Sequence, residues 1–308
     1  MKIAMHNWMR AEPVETTIRR LAKYGYDGIE ISYDSVELVP GAPGTAAVRD
    51  MLRENNLECV GSISLMFEGR DLVHADASVR ESSVDYLKKC ITMIKELRDG
   101  EGGNMSIVPS EVGKVKAMAE PDEEWRWAVE GLKAVREHAS AEGVTIAVEP
   151  LNRFETNFIN RHDQALLLAQ EVGPDVGVCL DVYHMNMEEA DMYQALRNAG
   201  DRLFDVHVAD NNRMACGQGA LEWGRIFDTL REIGYDRSIT VEFVPPIDRT
   251  PANPYKNALA AADDTLTPEQ LKFIEDHGSG VLSEEFYSWL VEESVKTLRS
   301  HVQGTARV

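Results

Sequence analysis

The chain has 308 residues, 44% hydrophobic and 27% charged, which excludes a disordered or fibrous protein and allows either two ordinary domains or one α/β barrel. Asp and Glu number 52 against 32 Lys and Arg, a formal net charge of −20 that repels phosphate backbones and anionic membrane surfaces, so neither nucleic acid nor membrane is expected as a partner. The opening MKIAMHNWM holds no apolar stretch of signal-peptide length and no run approaches the roughly 18 apolar residues of a membrane span, while Cys59, Cys90, Cys179 and Cys216 lack CxxC spacing, so a soluble cytoplasmic protein with buried or incidental thiols is the expectation.

Short β-branched runs alternate with amphipathic stretches along the whole chain. A first strand over 2–8 is followed by a helix over 13–24. In that helix Pro13 suits the first turn, Val14, Ile18 and Leu21 share one face, and Gly25 follows as a stop. Next come strand 28–32 and helix 45–55, strand 58–66 and helix 77–97, strand 104–109 and helix 122–142, and strand 144–151 and helix 161–171. Strand 176–183 and helix 188–198, strand 203–209 and helix 221–233, and strand 238–244 with a last helix over 283–301 complete the series. Eight alternating units demand a parallel sheet with right-handed crossovers, and eight is the number that closes on itself. The expected fold is therefore α/β, a single (β/α)8 TIM barrel over 1–308. A doubly wound open sheet would need a Gly-rich first turn, and 7–13 contains no glycine. The Pro-rich stretch at about 245–282 is expected to form a long lid over the barrel mouth, with a short helix starting at 267–270.

Four metal-competent side chains fall late in four consecutive expected strands: Glu149 in TIAVEP, Asp181 in GVCLDVYH, His207 in FDVHVAD and Glu242 in TVEFVP. An unpaired carboxylate in a buried strand is costly, and at the carboxyl end of a barrel strand the usual reason for one is a site. Three carboxylates with one imidazole form an oxygen-rich set suited to Mn²⁺ or Mg²⁺, with Co²⁺ and Zn²⁺ as further candidates. Arg153 and Glu155 follow Glu149 closely, His184 follows Asp181 by three and Arg213 follows His207 by six, a titratable loop set that suits a polyhydroxylated substrate. His6, near the end of the first strand, either faces the pocket or packs beside it. His74, His138, His162, His277 and His301 are expected at the surface, and Trp125 and Trp127 against the barrel. No Walker-type loop, dinucleotide fingerprint or GxSxG elbow occurs, so no nucleotide cofactor is expected.

Over VEPLNRFETN (148–157), LDVYHMNMEE (180–189), HVADNNR (207–213) and TVE (240–242) the sequence resembles the xylose-isomerase-like sugar isomerase/epimerase superfamily, and within it the ketose 3-epimerases. The resemblance implies a divalent metal on Glu149, Asp181, His207 and Glu242, with Glu149 and Glu242 doubling as the acid/base pair. It also implies substrate contacts from Glu155, His184 and Arg213, and His6 is taken as a fourth. The sequence departs from that pattern at FVPPIDRTPANPY after Glu242 and at the His6-Asn-Trp-Met start, both at the mouth. In length and in this altered mouth the chain also resembles the alpha subunit of bacterial C-glycoside deglycosidases. That branch implies a metal-dependent lyase acting on 3-keto C-glycosides: a base takes the proton beside the ketone, and the aglycone leaves once a nearby acid protonates it, for which His6 and His184 are the candidates in this sequence. It also implies a smaller, β-rich beta subunit docked near the mouth. This lyase is the leading expectation, within an oligomer. The alternative is a ketose 3-epimerase or keto-sugar isomerase using the same chemistry, with inosose dehydratase-like chemistry and a non-enzymatic binding protein behind it.

Overall fold

Each strand is a nearly unbroken run of buried side chains, as a parallel sheet covered on both faces requires. In the computed structural model, which describes residues 1–67, 69–246, 248, 250–255, 257–258 and 282–302, eight such strands pair in chain order and the first returns to the eighth. They are β1 (Lys2–His6), β2 (Gly28–Glu30), β3 (Glu58–Ile63), β4 (Asn104–Ile107), β5 (Thr145–Val148), β6 (Val176–Asp181), β7 (Leu203–Val208) and β8 (Ser238–Val241). Closure is made by Ile3 opposite Ile239 and Met5 opposite Val241. The expected (β/α)8 barrel is the fold observed.

The surrounding helices are α1 (Val14–Tyr24), α2 (Thr45–Glu54), α3 (Ala77–Leu97), α4 (Pro121–Glu142), α5 (His162–Val172), α6 (Val182–Glu188), α7 (Met192–Ala199), α8 (Trp223–Glu232) and α9 (Glu284–Val302). Local chemistry sets their ends. Gly25 takes the left-handed conformation (φ 78°) and turns its amide back to the last carbonyls of α1, the stop expected from the sequence. Asp76 caps α3 by accepting from the Ser78 amide at 2.8 Å. Where α9 meets α1 the barrel is sealed: the buried Arg20 donates to Glu12 and Glu284, and the Tyr26 hydroxyl donates to the Val291 carbonyl at 2.8 Å.

Two expectations need correction. The strands stop short of the expected ends: single amides such as those of Ile31 and Ser64 still reach the next strand past the last pairs, but beyond them side chains take over backbone groups. The Ser32 amide donates to Asn7 Oδ1, and the Val108 amide to Ser64 Oγ. The helix expected over 188–198 is α7, which starts only at Met192, and a further helix, α6, begins within the run assigned to the sixth strand. Asp181 is the cause, since its Oδ1 accepts from the Tyr183 amide at 2.8 Å and caps a helix immediately after β6.

A π-helical turn at Asp34–Leu38 was not foreseen. Most of the expected lid, with its helix start at 267–270 and His277, lies outside the described residues. In the part that is described, the Tyr255 ring rests on Phe286 and Trp289 of α9, with centroids 5.1 and 5.5 Å away. All four cysteines are free and buried. Among the described residues no helix is long and apolar enough to cross a membrane.

Candidate active site

Period-two alternation sends every second side chain of a barrel strand inward. Here many of the inward positions are polar. Asp205 and His207 of β7, Cys179 and Asp181 of β6, Asn104 and Ser106 of β4, Glu30 of β2 and His6 of β1 are all buried. The Asp181–His207 pair is in register across β6 and β7. Glu149 and Glu242 stand one residue beyond β5 and β8, where their amides extend the ladders to Ile107 and Val208 at 2.9 Å each.

The four expected metal ligands fall into two groups that share Glu149. His207 Nδ1 lies 3.1 Å from Glu149 Oε1 and 2.9 Å from Glu242 Oε2. Ligand atoms of Glu149, Asp181 and His184 fall within 4.8 Å of one another. Glu149 Oε2, Asp181 Oδ2 and Glu242 Oε2 are buried with no hydrogen-bond partner. Buried carboxylate oxygens without a hydrogen-bond partner are costly, and those of Glu149 and Asp181 in one group, with Glu242 facing Glu149 across His207 Nδ1, fit a divalent cation. Burial pushes the Glu149 and Asp181 carboxyls above the usual range, against the pull of His207 and His184 respectively. At Glu242 burial acts the same way, but His6 and His207 outweigh it and hold the carboxyl well below that range.

The loops after these strands bring the remaining candidates to the same place. His184 lies on α6, with Nε2 3.6 Å from Asp181 Oδ2 and Nδ1 accepting from the Asn152 amide at 3.3 Å. Asn152 Nδ2 donates to Glu155 Oε1 at 2.8 Å, and Arg213 donates to the same oxygen at 2.7 Å. Burial alone would raise the Glu155 carboxyl, yet His184 and Arg213 hold it below its usual range. Arg213 adopts φ 60°, rare for a side chain of this size, and its guanidinium lies 4.7 Å from the Tyr183 ring centroid. Asp210 fixes that loop by accepting from the amides of Asn211, Gly217 and Leu221 and from Trp223 Nε1. A Cβ on Gly219 would come within 2.3 Å of Asp210 Oδ1, so the turn needs glycine there. Arg153 points away and pairs with Glu188 at 2.7 Å.

A cavity of about 250 Å³ opens over this group. Its lining combines the polar Glu149, Glu155, His184, Arg213 and Glu242 with the apolar Trp8, Ile63, Leu65, Phe67, Val108 and Val112, and with Leu151 and Val244 beside the charged set. Asp181 and His207 lie beneath it. His6 does not line the cavity. It points into the barrel interior, wholly buried, 3.4 Å from Glu242 Oε2 and edge-on to the His207 ring.

The sequence reading missed Glu30, whose Oε2 lies 3.2 Å from His207 Nε2, and Asn152, which braces both His184 and Glu155. The signal for Glu30 was there, a lone carboxylate inside the apolar GIEIS. His162, expected at the surface, is largely buried and 2.9 Å from Glu189.

The family described as xylose isomerase-like TIM barrel matches residues 18–276. Over 230 residues the chain is 30% identical to the L-ribulose 3-epimerase of Mesorhizobium japonicum, covering 74% of this chain and 75% of that protein. Over 269 residues it is 28% identical to the 3-dehydro-D-guloside 4-epimerase of Escherichia coli, covering 84% and 98%. The crystal structure of the D-allulose 3-epimerase from Methylomonas sp. in complex with D-allulose shares the fold, with a TM-score of 0.79 at 23% identity over 98% of this chain and 97% of that one. These relatives overturn the leading expectation. They are named for epimerisation, and a C–C bond-cleaving lyase, its C-glycoside substrate and its beta subunit find no support among them. The lyase reading leaned on the loop after Glu242, and loops at a barrel mouth vary more readily than strand-end chemistry.

Proposed function

We propose that this chain, which belongs to the xylose isomerase-like TIM barrel family, is a divalent-metal-dependent epimerase of keto sugars, of the ketose 3-epimerase kind. The observation that carries the reading is the meeting of two groups at Glu149, one with His207 and Glu242 and the other with Asp181, whose three carboxylates each have a buried oxygen lacking a hydrogen-bond partner. Those four residues would hold the metal, and their oxygen-rich donor set favours Mn²⁺ or Mg²⁺. A divalent ion there would supply Lewis acidity to a carbonyl and its neighbouring hydroxyl.

The rest of the chemistry belongs to the protein. Glu149 and Glu242 both line the cavity and approach His207 Nδ1 from different strands. One carboxylate takes the proton from the carbon beside the carbonyl, leaving an enediolate. The other, protonated, returns a proton to the opposite face and inverts that centre. The sugar loses one proton and gains one, so none is consumed, and the two carboxylates, left with their protonation exchanged, return to the starting state by exchange with solvent and swap roles in the reverse reaction. His184 and Arg213 offer donors to sugar hydroxyls and Glu155 an acceptor. The apolar part of the lining excludes water from the reacting end. Four free, buried cysteines support a cytoplasmic location.

The test is to incubate the Mn²⁺-reconstituted chain with D-allulose and with L-ribulose in D₂O. The expected result is the 3-epimer carrying one deuterium at the inverted carbon, lost with EDTA and restored by Mn²⁺. Activity that survives EDTA, or no product and no exchange on either sugar, would overturn the proposal.

A further inference from the structure

The geometry points to Glu30 as the positioning residue that fixes which nitrogen of His207 faces the metal site, an inference that rests on the metal reading above. Glu30 closes β2, is wholly buried and does not line the cavity. Its Oε2 lies 3.2 Å from His207 Nε2, while its Oε1 has no hydrogen-bond partner. The other ring nitrogen, Nδ1, faces the two carboxylates that do line the cavity, Glu149 and Glu242. The imidazole thus spans the boundary between the cavity floor and the barrel interior.

A neutral imidazole gives a lone pair from one nitrogen only while its proton sits on the other. With Glu30 accepting from Nε2–H, the lone pair is left on Nδ1, toward Glu149 and Glu242. Asp205 cannot take the same role. Its Oδ2 is 3.8 Å from Nε2 and is already used by Asn104 Nδ2 at 3.2 Å and Ser106 Oγ at 3.1 Å, while its Oδ1 accepts from the Val206 amide at 2.9 Å. His6 stands edge-on to the ring, centroids 4.6 Å apart at 89°, and opposes a flip that would exchange the two nitrogens. A carboxylate behind a ligating histidine holds the tautomer and raises the basicity of the ligand, and losing it typically weakens metal binding by about 10–100-fold.

The test uses the full chain. Histidine-selective ¹⁵N NMR of the Mg²⁺-loaded wild type should show the His207 proton on Nε2. Titration calorimetry should show Mn²⁺ bound about 10–100-fold more weakly by Glu30→Gln, with Glu30→Asp recovering part of the loss. A merely structural ion pair would lower the melting temperature of Glu30→Gln and leave the Mn²⁺ affinity of the folded protein alone. The inference is overturned if folded Glu30→Gln binds Mn²⁺ like the wild type, or if the wild-type proton sits on Nδ1, a measurement that needs no variant. A wild type that binds no Mn²⁺ overturns the proposed function itself, and Glu30 with it.

Discussion

The mouth of this barrel has two unlike halves. The ends of β5 to β8 and their loops carry Glu149, Glu155, Asp181, His184, His207, Arg213 and Glu242, with Leu151 and Val244 among them, whereas the ends of β1, β3 and β4 present Trp8, Ile63, Leu65, Phe67, Val108 and Val112 to the same cavity. One half concentrates charge at a cost in stability, and the other covers it with apolar surface that keeps water out. The contrast teaches that chemistry and shape are assigned to different stretches of the chain, so they should fail separately.

The largest expected effect is on the charged half. Glu149→Gln and Glu242→Gln should each lower kcat by about 10²–10⁴-fold, the usual worth of a positioned acid or base. Glu149→Gln should not lower the melting temperature, because it removes a buried carboxylate held above its usual range with an unpartnered oxygen, whereas Glu242→Gln should lower it by taking away the carboxylate that faces His6 and His207. A variant that kept turnover while losing stability would dissolve the distinction between the halves.

Arg213→Ala comes next. It removes a charged donor and should cost about 10–100-fold in kcat/KM, read by steady-state epimerisation. It also makes a pH prediction. The Glu155 carboxyl is held below its usual range, so the Arg213–Glu155 pair contributes stability that is present above the unfolded value, about 4.3, and lost as pH falls through the depressed folded value. Thermal melts from pH 6 to pH 3 should therefore fall less steeply for Arg213→Ala than for the wild type.

On the apolar half, Ile63→Ala should destabilise by about 2 kcal/mol, at the low end for such a truncation because the side chain already borders a cavity. Denaturant titration measures this, and calorimetry should find Mn²⁺ affinity intact. The smallest effect is expected of Val112→Ala, a rise in KM of a few fold with kcat unchanged, from the loss of about one or two buried carbons. Loss of metal binding in either variant would show that the halves are coupled.

The charged half was largely legible in the sequence, because a Glu, Asp or His at the end of an apolar strand stands out against its surroundings. Glu149, Asp181, His207 and Glu242 were found that way. Glu30 was not. It belongs to a three-residue strand, and although its lone carboxylate stands out in GIEIS, nothing there says that it will meet a histidine that lies 177 residues later. Asn152 was quoted within a motif but given no role, since bracing two neighbours through one amide is visible only in three dimensions. The start of α6 was lost because Val176 to Tyr183 reads as one β-rich run, while the Asp181 carboxylate ends it by capping a helix. The apolar half was the least legible. Its residues come from the ends of three strands, β1, β3 and β4, and the loops after them, and no periodicity marks them as facing one cavity.

The loop clasped by Asp210 bears on how this site meets a ligand. A free arginine side chain carries about 2 kcal/mol of rotamer freedom. Arg213 has already surrendered much of it, held at φ 60° between the Glu155 carboxylate and the Tyr183 face. That loss of entropy falls on folding instead of on association, so a sugar entering the cavity finds the guanidinium already ordered. Stopped-flow binding should accordingly proceed in one fast phase, with no slow ordering of the 210–223 loop behind it.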